Sequence, residues 1–197
     1  AAPENLTLNY NKKSVEVSWD PMSENDYYEI WRKELGQPEE FTLIGTSNSS
    51  PYYDEDILEG ECSYRYKVRG NFTDFSDFQD ISFYHLAPPT NLQASLYQDS
   101  KVMLTWQDNS ELNIGYQIKR KDIVTGASSQ WAIFQDIESY IDEDANICHA
   151  YQYKVRAFDE GMAHTSPWSE PDTFKNDTDP PNVNITSPGQ YRVVYEG

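Results

Sequence analysis

The sequence contains two copies of one pattern, and this internal repeat constrains the fold more than any other feature does. Four blocks recur in the same order after 87 or 88 residues: Trp19 as Trp106, residues 28–33 as 116–121, residues 53–56 as 141–144, and residues 64–70 as 151–157. Agreement of four blocks at one offset is not expected by chance. The 197 residues are therefore predicted to form two copies of one unit, and each unit has the length of a small domain.

Each copy shows the alternation of apolar and polar residues that is typical of half-buried β-strands. In the first copy, for example, Val15, Val17 and Trp19 alternate with polar residues. Turn-forming residues separate such runs, and no segment keeps the period of a helix. About seven short strands per copy predict an all-β fold in which two sheets pack as a sandwich. Trp19 and Trp106 are predicted to anchor the two cores, flanked by aromatic residues of the sixth strand.

Several of these motifs resemble fibronectin type III domains. A tryptophan ends the second strand, the third strand reads Tyr-x-Ile-x-Arg, and the sixth reads Tyr-x-Tyr-x-Val. Residues 106–120 and Ser166–Ser169 resemble the bacterial or archaeal version of this domain. The resemblance covers residues 1–175 and implies two seven-stranded, immunoglobulin-like β-sandwiches joined end to end, over residues 1–86 and 87–175. Neither copy contains Arg-Gly-Asp, so integrin-type binding is not expected.

Residues 176–197 match neither copy. Near their start, Pro180–Pro181 repeat the pair at Pro88–Pro89, and such prolines stiffen a joint. Val183–Ile185 and Val193–Tyr195 then alternate like two strands around a turn, which resembles the opening of a bacterial immunoglobulin-like domain. We expect a linker and the truncated start of a third, Ig-like module of a protein that continues. The open strands of this short β tail, residues 177–197, are the expected route of any self-association.

The charge of the chain excludes several classes of partner. Asp and Glu total 33 against 15 Lys and Arg, which gives a formal net charge of -18. An acidic surface repels nucleic acids and anionic membranes, so neither is expected as a partner. No apolar run approaches the length of a membrane span, and no membrane insertion of this chain is expected. The aromatic fraction of 14% indicates a folded chain, because disordered acidic segments are poor in aromatic residues.

Catalysis is not expected from this sequence. In the repeat, His85 falls in the linker, His149 before the sixth strand and His164 in the loop after it, so the three histidines are predicted not to converge. No nucleophile motif, zinc-protease motif or phosphate-binding loop occurs. Cys62 and Cys148 occupy similar places in the two copies, about a domain length apart. An intrachain disulfide is therefore not expected, which leaves two free thiols or a bond between chains.

Two acidic clusters, Asp54–Asp56 and Asp142–Asp144, allow two interpretations. Calcium binding is one, because Ca²⁺ prefers several carboxylate oxygens, and Asp177 with Asp179 could form a similar site. The other is a structural role, in which a short carboxylate accepts hydrogen bonds from backbone N–H groups and fixes a turn. The clusters occupy equivalent positions just after the fifth strand, and no Asp-x-Asp-x-Asp-Gly loop occurs. The structural role is favoured. Apart from this alternative calcium ion, no cofactor is expected.

Trp31 is the aromatic residue that the core explains least. Alternation along the third strand places Tyr27 and Trp31 on the outer side. Trp31 either stacks under the cations of the sixth strand, which is favoured, or forms a platform for a sugar or a protein. Trp168, beside Lys154 and Arg156, allows the same two interpretations. Its setting also resembles the cytokine-receptor Trp-Ser-x-Trp-Ser box, but the paired cysteines of that family's first domain are absent.

The leading functional hypothesis is a non-catalytic spacer, adhesion or assembly region of a larger secreted or cell-surface protein. Its partner would be a protein or a polysaccharide at the cell surface. The alternative is a pair of accessory modules, in contact with carbohydrate or substrate, of a secreted hydrolase; a third hypothesis is a receptor ectodomain. Sites for N-glycosylation agree with an extracellular protein and lie at Asn5, Asn48, Asn71, Asn176 and Asn184.

Overall fold

The computed structural model describes residues 1–23, 26–38, 40–71 and 73–176 and confirms an all-β fold of two sandwiches. In the first sandwich, a three-stranded antiparallel sheet in the order β1-β2-β5 faces a four-stranded sheet in the order β4-β3-β6-β7. The strands are β1 (Thr7–Tyr10), β2 (Val15–Ser18), β3 (Tyr28–Glu34), β4 (Thr42–Ser47), β5 (Tyr52–Asp54), β6 (Gly60–Gly70) and β7 (Gln79–His85).

The second sandwich repeats this arrangement. Its three-stranded sheet has the order β12-β9-β8 and its four-stranded sheet the order β11-β10-β13-β14. The strands are β8 (Thr90–Tyr97), β9 (Lys101–Gln107), β10 (Gly115–Asp122), β11 (Ser128–Ile133), β12 (Ser139–Asp142), β13 (Tyr151–Phe158) and β14 (Asp172–Phe174). A 3₁₀ turn spans Glu160–Met162. Among the described residues, no helix is long and apolar enough to cross a membrane.

Each core is built from the inward side of the alternating strands and includes one buried tryptophan, next to the end of β2 or β9. Trp19 and Trp106 are each 4% exposed, which confirms them as core residues. Their aromatic neighbours come from the third strand of each copy, since the Trp19 ring lies 5.1 Å from Tyr28 and the Trp106 ring 5.0 Å from Tyr116. The sixth strand was expected to supply these neighbours, and its tyrosines do belong to the same core clusters, but the ring contacts of the tryptophans come from the third strand. Tyr28 and Tyr116 begin or nearly begin their strands, at the level where β2 and β9 end.

The Ser-Pro-Trp-Ser segment closes the free edge of the second large sheet. β14 pairs only with residues 151–153 of β13, so the rest of that edge lacks a strand neighbour. Ser166 donates its N–H to the carbonyl of Ala157, and its hydroxyl accepts from the Ala157 N–H. Ser169 makes the same pair of bonds to Val155. Each of these serine clamps satisfies both backbone groups of one residue of β13.

The first sandwich uses the same device at two residues. Thr73 donates its N–H to the carbonyl of Gly70, and its hydroxyl accepts from the Gly70 N–H. Ser76 donates its N–H to the carbonyl of Val68, and its hydroxyl accepts from the Val68 N–H. Ser76 and Ser169 thus occupy equivalent positions, as do the residues before them, Phe75 and Trp168. The predicted β tail and third module, residues 177–197, lie outside the described residues.

Candidate functional site

The outer faces of the two four-stranded sheets together carry most of the positively charged side chains of this acidic protein. Ten of the 15 Lys and Arg residues lie on only four strands, β3 and β6 in the first sandwich and β10 and β13 in the second. Alternation turns Arg32 and Arg120 to the inner side. The other eight define two outer faces: Lys33, Arg65, Lys67 and Arg69 on the first, and Lys119, Lys121, Lys154 and Arg156 on the second.

Trp31 lies on the first outer face and is partly covered by other side chains. Its indole N–H donates to the carboxylate of Glu29 at 2.9 Å, and its ring meets the edge of Phe75 with the centroids 5.8 Å apart. The guanidinium of Arg69 lies 5.7 Å from the Trp31 ring and 4.8 Å from the Phe75 ring. The ammonium of Lys67 lies 3.8 Å from the Phe75 ring. Of the three cations that were expected to stack on Trp31, Arg69 contacts its ring, whereas Lys67 lies over Phe75 and Arg65 over Phe78.

The acids of the first outer face neutralise its two arginines. Arg65 makes a bidentate contact with Asp80 at 2.6 and 2.8 Å, and Arg69 bonds to Glu29 at 2.7 Å. The hydrogen bonds from Arg65 and Arg69 are the main reason that the pKa values of Asp80 and Glu29 fall below the ordinary range. Carboxylates therefore neutralise two of the four cations of the first face, whereas the ammonium groups of Lys33 and Lys67 lie over the Phe41 ring. Tyr27, at 39% exposure, remains the more accessible of the two aromatic residues predicted there.

The second outer face lacks this compensation. Strand register places Gln117 where the first copy has Glu29, Thr173 where it has Asp80, and Lys119 where it has Trp31. Lys119 is paired directly across from Lys154. Among the described residues, no carboxylate forms an ion pair with any of the four cations of this face.

Trp168 borders a shallow concavity of the second outer face. The guanidinium of Arg156 lies 4.5 Å from the centre of the Trp168 ring and donates to the side chain of Gln117 at 2.8 Å. Burial lowers the pKa of Arg156, with no carboxylate to oppose that shift. The concavity has a volume of about 340 Å³, and its walls are Lys119, Lys121, Ser128, Gln152, Lys154 and Trp168. Trp31 and Trp168 thus lie in different sandwiches and do not form one surface.

The first residues of the acidic clusters are buried in a repeated arginine–aspartate–tyrosine cluster. Asp54 accepts bonds from Arg32 and from the hydroxyl of Tyr66, each at 2.7 Å. At the equivalent place, Asp142 accepts from Arg120 at 2.7 Å and from the Tyr153 hydroxyl at 2.9 Å. Burial is the main cause that raises the pKa of both tyrosines, and the adjacent aspartate adds to it.

The structural interpretation of these aspartates gains direct support. Asp54 and Asp142 each accept a hydrogen bond from the backbone N–H two residues later, at 3.2 Å. Both end a strand rather than follow it. In the part of the chain that the structure describes, no group of three or more His, Cys, Asp or Glu side chains is placed to hold a metal ion. Asp177 and Asp179 lie outside that part.

The side-chain contacts across the joint between the sandwiches were not anticipated from the sequence. The two carboxylate oxygens of Glu59 accept from the backbone N–H groups of Ala87, at 2.7 Å, and of Glu111, at 2.9 Å. The ring of Tyr84 stacks on that of His164, with centroids 3.9 Å apart and an interplanar angle of 10°. Leu86 is 2% exposed and belongs to the core of the second sandwich. These contacts join the residue before β6 and the end of β7 to the loop before β10 and the loop after β13.

The histidines lie in three separate settings, with two differences from the sequence-based expectation. His85 is not in a linker: it ends β7, is buried, and contacts the hydroxyl of Tyr10 at 2.9 Å. Its burial lowers its pKa. His164 bonds to Asp159, and its ring stacks on Tyr84 of the first sandwich. It therefore takes part in the joint as well as in the loop after β13. His149 bonds to Asp122 at 2.6 Å.

The cysteines and the glycosylation sites show mixed exposure. Cys62 is buried and Cys148 exposed, and both are free thiols. The side chain of Asn5 is exposed and bonds to Asp20, and that of Asn71 bonds to Asp26. Asn48 is exposed and Asn176 half-buried. Asn184 lies outside the described residues, and glycosylation at all five positions stays a prediction.

Comparison with known proteins supports the fold. No protein-family model and no curated protein matches the sequence. The chain is similar to the solved structure of the chicken interferon gamma receptor alpha chain, with 11% identity, coverage of 89% of this chain and 98% of that one, and a TM-score of 0.53. A two-domain fibronectin type III segment from chicken tenascin matches with 12% identity, coverage of 89% and 100%, and a TM-score of 0.46.

A third solved structure, the FN1–FN3 domains of chicken CNTN1, matches with 19% identity over 88% of this chain and 64% of that one, at a TM-score of 0.40. At such low identities, the likeness concerns the fold alone. Together with the two-sheet strand order of each copy, it defines the chain as a tandem of fibronectin type III-like β-sandwich domains.

Proposed function

We propose that this tandem is a non-catalytic spacer and adhesion region of a larger protein that is secreted or displayed at the cell surface. The observation that carries the proposal is the joint, because the Glu59 carboxylate and the Tyr84–His164 stack connect two complete sandwiches directly. A spacer must hold its ends apart, and a joint fixed by hydrogen bonds and stacking resists bending. Solved structures similar in fold include tandem fibronectin type III segments.

The chemistry of the joint explains how it would resist bending. Glu59 accepts from one N–H group in the linker and one in the second sandwich, and charge-assisted bonds of this kind are stronger than neutral ones. Leu86 buries its side chain in the second core, and Pro88 and Pro89 restrict the backbone between the two sheets. Lys13 and Glu170 add an exposed contact at 3.7 Å, which contributes little.

The rigidity of the joint can be tested by measuring a distance between the sandwiches. With the two native cysteines replaced, spin labels at the exposed positions Asn9 and Ser129 would report the spread of that distance. We expect a narrow distribution that broadens in Glu59→Ala. Glu61→Ala is the matched control, because Glu61 is an exposed glutamate two residues later, in β6, and makes no side-chain hydrogen bond among the described residues.

A broad distribution in the unaltered chain, as broad as that of a variant with glycine at both Pro88 and Pro89, would contradict the spacer proposal. If Glu59→Ala and Glu61→Ala gave distance distributions of the same width, Glu59 would not contribute to the rigidity of the joint. Residues 1–86, 87–175 and 176–197 are the module boundaries that we propose on this basis, with the last range as the start of a third module.

A second candidate function is that of accessory modules of a secreted hydrolase. The exposed ring of Tyr27 and the position of Trp168 beside a concavity favour it, because aromatic rings pack against sugar rings. Binding to a glycan array that is lost in Tyr27→Ala or Trp168→Ala would support this candidate. Glycan binding that is unaffected by either change would argue against these two residues as the platform.

A further inference from the structure

We propose that the second sandwich binds a polysaccharide chain carrying carboxylate or sulfate groups, in the concavity formed by Lys119, Lys121, Lys154 and Trp168. The inference deepens the proposed adhesive role and rests on it, since it names the partner of that surface. Its evidence is the charge of the second outer face, the contrast with the first outer face, and the polar lining of the concavity.

The charge of the second outer face calls for an anionic ligand. Lys119 stands directly across from Lys154 in the antiparallel pairing of β10 and β13, and like charges in that position destabilise a sheet. Lys121 follows two residues along the same face, about 6–7 Å away. In a chain of net charge -18, acids are abundant, yet no described carboxylate pairs with any of these lysines. An anion would relieve their repulsion.

On the first outer face of the same fold, the cations have partners within the chain. There Glu29 and Asp80 pair with the two arginines, and the ammonium of Lys67 lies between the Phe41 and Phe75 rings, 4.2 and 3.8 Å from their centres. In the second sandwich, both acids are replaced by neutral residues, at Gln117 and Thr173. This difference between two copies of one fold indicates that the positive charge of the second outer face is balanced by a ligand from outside the chain.

The lining of the concavity fits a carbohydrate better than an acidic protein segment. Besides the lysines, it offers the amide of Gln152, the hydroxyl of Ser128 and the indole of Trp168. These groups can exchange hydrogen bonds with sugar hydroxyls, and the half-buried indole provides a flat apolar surface. The absence of aliphatic side chains from the described lining leaves an acidic peptide little apolar surface to bury. Electrostatic steering by four cations would bring a polyanion to this face despite the negative net charge.

The test measures binding of the full chain to immobilised heparin and to polygalacturonate, with dextran as the neutral polysaccharide and polyglutamate as the acidic peptide. We expect binding to both acidic polysaccharides, weakened by added salt, and weak or no binding to dextran and polyglutamate. The variant Lys119→Gln/Lys154→Gln should reduce the affinity about three- to tenfold, because exposed ion pairs contribute modestly each. Both lysines are at the surface, so the variant is expected to fold, which circular dichroism would verify.

The first sandwich supplies the matched control. Lys33→Gln/Lys67→Gln makes the same charge change on the first outer face and should leave binding unchanged. Equal loss in both double variants would reduce the effect to net charge and overturn the site. The proposed site would also be overturned if the chain bound neither heparin nor polygalacturonate. Tighter binding to polyglutamate than to the polysaccharides would identify the ligand as an acidic protein instead. The distance measurement between the spin labels reports only the rigidity of the joint, and the binding assay reports only this site. The spacer proposal and the binding proposal can therefore be refuted independently.

Discussion

Removal of the Asp54 carboxylate should destabilise the first sandwich strongly while leaving the second intact. The side chain of Asp54 is 2% exposed, and it accepts bonds from Arg32, from Tyr66 and from the N–H of Asp56. In Asp54→Ala, the Arg32 guanidinium, 16% exposed, loses its buried carboxylate and keeps only its contacts with Asp56. The buried Tyr66 hydroxyl loses its acceptor. Breaking a buried ion pair costs about 3–5 kcal/mol. Because Arg32 retains some access to water, we expect the lower part of that range.

The tyrosine provides a way to separate the parts of this cost. Tyr66→Phe alone should lose about 1 kcal/mol, the net contribution of a typical hydrogen bond. In the Asp54→Ala background, the same change should cost nothing or restore stability, because it removes a buried hydroxyl that has no acceptor. The two changes are therefore expected to be non-additive, as is usual for residues of one network.

The assay is urea unfolding of the full chain, combined with residue-resolved amide hydrogen exchange so that each sandwich is reported separately. Glu55→Ala is the control, since Glu55 is the exposed neighbour of Asp54 and should change the free energy of unfolding by under about 0.5 kcal/mol. A loss below about 1 kcal/mol in Asp54→Ala would refute the cluster as a stabilising element. Equal costs of Tyr66→Phe in both backgrounds would refute the network.

Three further predictions concern the core, the response to acid and the tail. Trp106→Ala should cost about 3–5 kcal/mol and could unfold the second sandwich, whose total stability is expected to be about 5–15 kcal/mol; a urea midpoint shift worth under about 1 kcal/mol would contradict the core assignment. Burial raises the pKa of Asp122, but hydrogen bonds from His149 and from nearby backbone N–H groups outweigh it and lower the pKa from 3.8 to about 2. The stability that Asp122 contributes is therefore present above about pH 4 and lost as the pH falls towards 2, and acid unfolding curves of Asp122→Asn should lack this loss. Removal of residues 177–197 should leave both sandwiches folded, and loss of cooperative unfolding in the shortened chain would show that the boundary is misplaced.

The fold could be predicted because its signals are local and repeated. The period of two along each strand shows which side chains point inward, and Trp19 and Trp106 mark the same place in both copies. Their neighbours could not be predicted in the same way. Whether the ring of a tryptophan contacts the third or the sixth strand depends on how the two sheets pack and on the level at which each strand begins. The alternation of apolar and polar residues indicates neither the packing nor that level.

The contacts that were missed join residues distant in sequence. Glu59 and Glu111 lie 52 residues apart, and Tyr84 and His164 meet only because of the way in which two separately folded units are placed. One missed feature did leave a signal. Arg32 and Arg120 are 88 residues apart, as are Asp54 and Asp142, so comparison of the copies would have suggested a conserved arginine–aspartate pair within the repeat.

The serine clamps have a consequence for how a tandem chain avoids misfolding. Two adjacent copies with similar strands can exchange them during folding, because an open strand edge accepts any chain that offers the complementary backbone groups. Ser166 and Ser169 occupy both backbone groups of Ala157 and Val155, respectively, and Ser76 does the same at Val68. A neighbouring module, or another molecule at high local density, finds no free donor or acceptor at those residues. Repetition of one fold along a chain is thereby made compatible with independent folding of each unit.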